Sequence, residues 1–389
     1  MRWPAAWKEP SLVELLRDTP VNYVLTANGE PVPGLKATVS ASAPDGVEVL
    51  KGSWPGTRMA APGESDRVVA GPTGEPWIDS NGWRIALASA QHPGKEVWVE
   101  AIPVEPRLYP ESYVAGLADA AANGGRWMIQ LDDKLVAGIA GGNAAATATW
   151  KRLMAAAKFF ADWRWQQMQP LALVGVVSRF AGEGAPFSQE VLNLLARANQ
   201  QYRVILTGEA NTAALAGLRA AIYVDQVAPA PALRTALTDF AERGGLLIAG
   251  PAWGAGTGPS EAHPRYDVRA FGKGLLAVAR KVENDPYLMV QDAMVLVSHR
   301  YDLLRFWNGG AVRACLAASP DRKRGLLQMV FYANARAGDA TVRVVGNYRS
   351  ARLFSLDGTE QNVKVVPEKD AVELHLPAVA QYAAVQLDA

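Results

Sequence analysis

The feature of the sequence that most constrains the fold is a change of pattern near residue 310. Before it, apolar β-type runs alternate with amphipathic helical stretches, as in Val47–Lys51, Gly82–Gln91, Lys95–Glu100 and Glu111–Ala122. After it, short strand-like runs follow one another with turns and no helical stretch. Alternation predicts parallel sheets covered by helices, whereas consecutive short strands predict an antiparallel domain. We therefore expect an α/β protein with an all-β tail.

The length of 389 residues suits two or three domains. About four strand–helix units fit into residues 1–168, whereas a full barrel needs roughly 200 residues or more. This front domain is therefore predicted to be a truncated, half (β/α) barrel, with a helical segment near Leu35–Ser42. A second alternation predicts a doubly wound, flavodoxin- or class I amidotransferase-like domain over residues 169–309. Residues 310–389 are predicted to form a small antiparallel β-sandwich.

Charge and composition exclude several classes of function. The chain carries 39 basic and 38 acidic side chains, so its net charge of +1 gives no basis for binding nucleic acid through phosphate groups. No run of 18 apolar residues occurs, which argues against a membrane-spanning helix. Cys315 is the only cysteine, and the four histidines lie far apart in sequence. We therefore expect no metal site, no cofactor and no membrane partner.

The first ten residues bear on the compartment. Met1–Pro10 lacks the basic start and the apolar core of a secretion signal. This favours the cytoplasm. A secreted or periplasmic location is the alternative if a signal peptide has been removed from the chain, so the native compartment stays open at this point.

Several segments after residue 170 resemble the glycoside hydrolase family 42 β-galactosidases. In the middle domain these are Leu233–Gly250 (LRTALTDFAERGGLLIAG), Gly272-Lys273-Gly274 and His299–Asn308 (HRYDLLRFWN); in the tail they are Ala351–Gly358 (ARLFSLDG) and Leu376–Ala384 (LPAVAQYAA). The resemblance covers about residues 170–389, and over the front domain it is only architectural. It implies a catalytic barrel, an amidotransferase-like trimerisation domain and a terminal β-sandwich. It also implies that the substrate is a carbohydrate, a β-linked hexoside.

The middle domain lacks the residues for two chemistries that its predicted fold could carry. Glutamine amidotransferases need a nucleophilic cysteine and a histidine base, and Cys315 lies outside this domain. The glycine-rich stretch Gly250–Gly258 has no Gly-Lys-Ser/Thr ending, so we interpret it as a plain loop rather than a phosphate loop. The sequence therefore directs attention to the front domain.

Aromatic residues make the front domain a candidate sugar-binding region. Ten of the twelve tryptophans precede residue 166, and indole faces suit amphipathic ligands such as sugar rings. Trp77 and Trp83 flank Asp79, Ser80 and Asn81, a pattern that suits a hexose clamp. Asp79 or Ser80 could equally cap the helix that follows. The candidate substrate-binding residues are Asp79, Asn81, Trp54, Trp77, Trp83 and Lys51.

Carboxylates at strand ends are the candidate catalytic groups, because barrel proteins place their sites at the carboxyl ends of strands. Glu100 ends the predicted strand Lys95–Glu100, and Asp132 follows the next predicted strand, Arg126–Leu131. Glycosidases commonly use such a pair as acid and nucleophile or base. On adjacent strands their Cα atoms would lie about 5 Å apart, which favours a retaining mechanism. Lys51 could pair with either carboxylate. The plain alternatives are a surface glutamate and a helix-capping aspartate.

Two functions from different classes follow. The first is a glycoside hydrolase acting on β-linked hexosides, with its barrel completed by a second subunit. The second is a non-catalytic carbohydrate-binding or assembly protein on a degenerate hydrolase scaffold. Because about four parallel strands cannot close a barrel and would leave exposed edges, we expect a homo-oligomer. A dimer is favoured, and the resemblance to a trimerisation domain makes a trimer the competing assembly.

Overall fold

The structure of the protein is a computed structural model. It describes residues 1–57, 78–103, 109–162, 168–254, 259–261, 263–332 and 339–389. Three groups of elements follow one another along the chain.

The front group combines short strands with four helices in the described residues. The strands are β1 (Tyr23–Leu25), β2 (Thr38–Ser40), β3 (Val47–Lys51), β4 (Gly56–Thr57), β5 (Ile78–Asp79), β6 (Glu96–Glu100) and β7 (Arg126–Trp127). The helices are α1 (Gly82–Gln91), α2 (Pro110–Ala122), α3 (Asp133–Ala140) and α4 (Ala144–Asp162), and a 3-10 helix spans Pro10–Leu16.

The main strands of the front group pair in parallel, as alternation with helices predicts. Strand β6 lies between β3 and β7, and β1 pairs in parallel with β2. Arg2 connects the two sheets, since its amide donates to Ile129 O at 2.9 Å and it forms a parallel bridge with Leu25. The carboxyl ends of β3, β6 and β7 therefore meet at one edge.

Two local expectations for the front group are wrong. The segment Leu35–Ser42 contains strand β2 instead of a helix, because Thr38–Ser40 pairs with Tyr23–Leu25 and tertiary pairing outweighs a weak local preference. The predicted strand Arg126–Leu131 ends at Trp127, and the unpredicted helix α3 begins at Asp133. Both differences arise from contacts that a single segment does not reveal.

The middle group is a six-stranded sheet with helices on both faces. Its elements are α5 (Ala185–Arg197), α6 (Pro231–Glu242), α7 (Pro286–Val297), β9 (Val174–Ser178), β10 (Tyr202–Leu206), β11 (Ala220–Tyr223), β12 (Leu246–Ala249), β13 (Tyr266–Phe271) and β14 (Gly274–Ala279). The order is β10-β9-β11-β12-β14-β13, and only β13 runs antiparallel to its neighbour. Separate apolar clusters cover the two faces, which explains the continuously buried strands β9, β11 and β12.

The tail is a curled, nine-stranded antiparallel sheet. Its strands are β8 (Gln169–Pro170), β15 (Leu304–Phe306), β16 (Val312–Ala318), β17 (Arg324–Phe331), β18 (Ala340–Val345), β19 (Ser350–Ser355), β20 (Glu360–Pro367), β21 (Ala371–Leu376) and β22 (Tyr382–Asp388). The order is β15-β18-β21-β20-β19-β22-β17-β16-β8. Val342 and Leu327, from distant strands of this sheet, belong to one buried cluster. Strands β8 and β15 join it from outside the predicted range 310–389.

The front helices pack against both of the other groups. On one side, Trp83 and Leu87 of α1 belong to the apolar cluster of the middle sheet. On the other, Ala118 and Ala122 of α2 pack against the tail, in a cluster that includes Tyr382. The front sheet is thereby held between the other two groups, with its carboxyl edge defined by the ends of β3 and β6.

Candidate active site

Glu100 and Lys51 lie side by side at the carboxyl edge of the front sheet. They are the last residues of β6 and β3, and the register of this parallel pair places Lys51 opposite Glu100. Ligands of open α/β sheets bind at the carboxyl ends of the strands, so this edge is where a site is expected. The structure thus brings together two of the residues predicted from sequence.

The carboxylate of Glu100 forms a salt bridge with Arg2, which the sequence analysis did not identify. The Glu100 side chain is 19% exposed, and Lys51 is exposed. Arg2 reaches this position because the first residues lie between Leu25 and Ile129 in the sheet. No short-range sequence pattern indicates this pair, since 98 residues separate its members.

Asp132 lies beyond the sheet and caps a helix. Its carboxylate accepts a hydrogen bond from the amide of Leu135 at 2.8 Å at the start of α3, and another from the Tyr113 hydroxyl. The register pairs Val99 with Trp127, so Asp132 lies five residues past the last paired position. The expected cross-strand approach of Glu100 and Asp132 at about 5 Å is therefore absent from this register, and the helix-cap alternative describes Asp132.

The polar segment before α1 is hydrogen-bonded to neighbouring parts of the front group. Asp79 lies in β5, opposite Gly56. Asn81 is fully buried: its side chain donates to Ser53 O and accepts from Ser53 N, both at 2.9 Å, and it also donates to Asp119 Oδ2 at 2.9 Å. Asn81 itself is the residue before α1 and makes no capping bond through its side chain. Because Asn81 occupies the N-cap position of α1, the alternative prediction that Asp79 or Ser80 caps this helix is wrong.

Trp54 forms an aromatic cluster behind the carboxyl edge. Its ring meets those of Tyr113 and Trp127 edge to face, each at a centroid distance of 5.1 Å. Its Nε1 donates to Ile102 O at 2.8 Å, two residues past Glu100. The half-buried indole is thus fixed next to the end of β6.

The other two predicted tryptophans lie elsewhere. Trp83 is buried against the middle sheet, and the Arg84 guanidinium lies 4.4 Å from its ring centroid. Trp77 lies outside the described residues. The sugar-binding role expected for Trp77 therefore stays a prediction. Trp83 packs in the apolar cluster of the middle sheet.

Two buried polar atoms at this edge have no protein partner in the described part of the chain. They are the indole Nε1 of Trp127 and Oε1 of Gln130, just past β7. Buried polar groups are nearly always hydrogen-bonded, and exceptions concentrate at functional sites or ordered waters. Sequence reasoning missed these atoms, of which the first lies on β7, the strand next to β6, and the second lies three residues past β7.

Membrane-spanning helices and metal sites are both absent from the described ranges. No helix there combines the length and the apolar character needed to cross a membrane. In the same ranges, no group of three His, Cys, Asp or Glu side chains is placed to hold a metal ion.

The overall fold is similar to that of solved glycoside hydrolases. It matches α-L-fucosidase isoenzyme 2 from Paenibacillus thiaminolyticus at a TM-score of 0.55 and 12% identity, covering 77% of this chain and 61% of that one. A rhamnosidase from Novosphingobium sp. PP1Y matches at 0.52 and 10% identity, over 94% and 37% of the chains. A β-galactosidase from Bacillus circulans sp. alkalophilus gives 0.45 and 10%, over 75% and 61%.

These comparisons establish a glycosidase-like fold and nothing finer. No protein-family profile and no curated protein sequence matches the chain. The chain spans about three fifths of the fucosidase and just over a third of the rhamnosidase. The solved relatives are therefore longer proteins, and similarity at this level of identity concerns the fold alone.

Proposed function

We propose that this protein binds a hexoside at the carboxyl edge of its front sheet, on a glycoside-hydrolase scaffold, without cleaving it as a single chain. The observation that carries the proposal is the pairing of Glu100 with Lys51 at the ends of adjacent strands, beside the fixed indole of Trp54. A carboxylate and an ammonium group can bind sugar hydroxyls, and an indole face can hold the apolar face of the ring.

The unpaired polar atoms of Trp127 and Gln130 support a ligand at this edge. An indole donor and an amide acceptor suit hydroxyl groups, which both donate and accept. The choice of a hexoside rests on the glycosidase-like fold and on the resemblance to family 42 β-galactosidases. Carbohydrate is accordingly the proposed partner.

The position of Asp132, the second predicted catalytic carboxylate, supports binding without hydrolysis by one chain. Cleavage by the usual route needs an acid and a nucleophile or base on opposite sides of the scissile bond. Asp132 is committed to the first turn of α3 and to Tyr113. Glu100 is thus the only one of the two predicted catalytic residues that remains at the edge formed by β3 and β6.

Hydrolysis of β-linked hexosides is the second candidate, with a site shared between subunits. Within the described residues β3 pairs on one side only, with β6. An unpaired edge is a natural place for a second copy to extend the sheet. Light scattering at micromolar concentration tests this: the shared site requires a dimer, and an active monomer would exclude it.

The finer domain assignments also remain proposals. The order β10-β9-β11-β12 in the middle group supports a flavodoxin- or amidotransferase-like domain over residues 169–309. The curled tail sheet with its single apolar cluster supports a sandwich over 310–389. Residues 1–168 would then be the half barrel that carries the hexoside site. Limited proteolysis, with cleavage near 168 and 309, tests these boundaries.

The two candidate functions are separated by measuring turnover and binding on the same samples. Chromogenic aryl β-hexosides are incubated with the wild type and with Glu100→Gln, and saturable binding is followed by calorimetry. We expect binding without release of the aryl group. Release by the wild type that Glu100→Gln abolishes would overturn the non-catalytic proposal in favour of a hydrolase.

A further inference from the structure

A cavity of about 350 Å³ lies where the segment His299–Asn308 passes from α7 to the tail sheet. Its lining includes His299, Asp302, Arg305 and Trp307 from that segment and Arg197 from the end of α5. The volume is at the lower end of the range for ligand sites, about 300 to 1,000 Å³, and therefore suits one or two sugar rings. This cavity is separate from the edge formed by Lys51 and Glu100.

The polar side chains of the cavity hold one another in place. Asp302 Oδ2 accepts a hydrogen bond from Arg305 Nη2 at 3.1 Å and lies 2.9 Å from His299 Nδ1. Arg305 Nη2 also donates to His299 O at 2.6 Å. These contacts fix the guanidinium through one nitrogen. Its Nε and Nη1 have no hydrogen-bond acceptor among the described residues, and both can serve a ligand.

The indole of Trp307 is exposed and yet fixed. It is 54% exposed, a large apolar group facing solvent. Its Nε1 donates to Glu373 Oε2 at 3.1 Å, and its backbone amide donates to Thr341 O at 2.9 Å. The Arg305 guanidinium lies 5.6 Å from the ring centroid. A fixed aromatic surface beside a partly uncommitted cation is an arrangement that favours ligand binding.

The backbone before this segment is strained. Ser298, the residue that follows α7, has a φ of +71°, a left-handed conformation that is unfavourable for a serine. Ser298 directly precedes His299, whose carbonyl oxygen accepts a hydrogen bond from Arg305. The strained residue therefore helps to set the geometry of the cavity.

We propose that this cavity binds a pyranose that carries an anionic group, a carboxylate or a sulfate ester. The sugar ring packs on the indole of Trp307, and the anion pairs with Arg305. Arg305 uses only Nη2 within the protein and so offers a ligand two further guanidinium N–H groups. An anionic oxygen accepts a charge-assisted hydrogen bond, which is stronger than the bond that a neutral hydroxyl accepts, so an acidic sugar fits Arg305 better than a neutral one does. The site goes beyond the front-sheet proposal, because binding here requires no activity there.

Calorimetry with two sugars that differ only at C6 tests the proposal. D-Galacturonate is expected to bind the wild type about tenfold or more tightly than D-galactose, because a charge-assisted hydrogen bond is stronger than a neutral one. Arg305→Gln should remove this difference, and Trp307→Ala should weaken both sugars. Galactose 6-sulfate distinguishes a sulfate ester from a carboxylate as the preferred anion.

Arg300→Gln is the matched control. Arg300 belongs to the same segment but is exposed and donates to the Tyr301 hydroxyl at 2.5 Å, and this variant should bind as the wild type does. A crystal soaked with galacturonate provides a measurement that needs no variant and should show the sugar ring on the indole of Trp307 with its carboxylate at Arg305. Equal affinity for all three sugars, an acid preference that survives Arg305→Gln, or density elsewhere would overturn the proposal.

Discussion

The Tyr332 hydroxyl donates a hydrogen bond of 2.6 Å to Asp119 Oδ1, and this bond joins the tail sheet to helix α2 of the front group. The opposite oxygen, Oδ2, accepts from the amide and the side chain of Asn81, both at 2.9 Å. Asp119 is fully buried. The same Asn81 side chain holds Ser53, next to Trp54. The candidate hexoside edge is therefore supported by a polar network that spans two of the three groups.

The first prediction concerns this bond. Tyr332→Phe leaves Asp119 Oδ1 buried without its donor, so we expect the free energy of unfolding to fall by about 1–3 kcal/mol. Tyr348→Phe is the control, because the buried Tyr348 hydroxyl makes no hydrogen bond to the described residues. Urea denaturation measures both. An equal loss in the two variants would contradict a specific role for the Tyr332–Asp119 bond.

The second prediction concerns pH. Burial raises the pKa of Asp119 above its ordinary value of 3.8, although hydrogen bonds from Tyr332 and Asn81 and the charge of Arg313 oppose the shift. The folded state therefore holds this proton longer than the unfolded state, and the contribution of Asp119 to stability falls as pH rises above 3.8 through the raised pKa. Asp119→Asn lacks this dependence.

Asp119→Asn should accordingly destabilise the protein more at pH 4 than at pH 7. Its effect is taken as the difference from the wild type at each pH, so that other titrating groups cancel. Denaturant unfolding at both values gives the comparison. A destabilisation that grows towards pH 7 would mean that the carboxylate is stabilised by its surroundings and that the direction of the shift is wrong.

Comparison of sequence and structure shows which features are local. The bounds of β3 and α1 are predicted residue for residue, because the pattern of apolar residues and the flanking turn residues are local to each segment. The segment of strand β2 is wrongly predicted to be helical. It forms a strand because it pairs with β1, and this pairing is not visible in the segment itself. Glycine and proline near the end of a helix are therefore enough to predict where it ends, whereas a short strand can be predicted only together with the strand that it pairs with.

The candidate site is predictable only in part, for the same reason. The strand-end position of Glu100 and its neighbour Lys51 follow from the alternation of strands and helices. Its partner Arg2 lies 98 residues away, and the Tyr332–Asp119 bond spans 213 residues. No motif or spacing connects such residues, and without an assembled sheet neither pair can be inferred.

The third prediction concerns Cys315. Burial is the main reason that the pKa of its thiol is raised, to about 11. The thiolate is the reactive form, so at pH 8 the folded protein should react with a disulfide reagent at least about tenfold more slowly than the unfolded chain. The rate of thiol release in buffer and in urea measures this. Similar rates in both conditions would contradict the buried, protonated state.

The fourth prediction concerns the packing of Trp127. A Cβ added at Gly116 of α2 would lie 2.7 Å from Cε2 of this ring. Alanine favours a helix over glycine by about 1 kcal/mol, but overpacking typically costs about 1–3 kcal/mol. Gly116→Ala should therefore destabilise the protein, as measured by thermal unfolding. Gly184→Ala, where an added Cβ meets no atom within 4 Å, should leave the unfolding temperature nearly unchanged.

The most direct test of the hexoside site is calorimetric binding of an aryl β-D-galactoside to three proteins: the wild type, Glu100→Gln and Glu96→Gln. Glu96 begins the same strand, β6, and pairs with Arg126 at 3.0 Å, so it is a control carboxylate on the same strand that also has an arginine partner. We predict saturable binding to the wild type and to Glu96→Gln, with affinity reduced about tenfold or more in Glu100→Gln. Absence of saturable binding to the wild type, or equal affinity in all three proteins, would contradict the account.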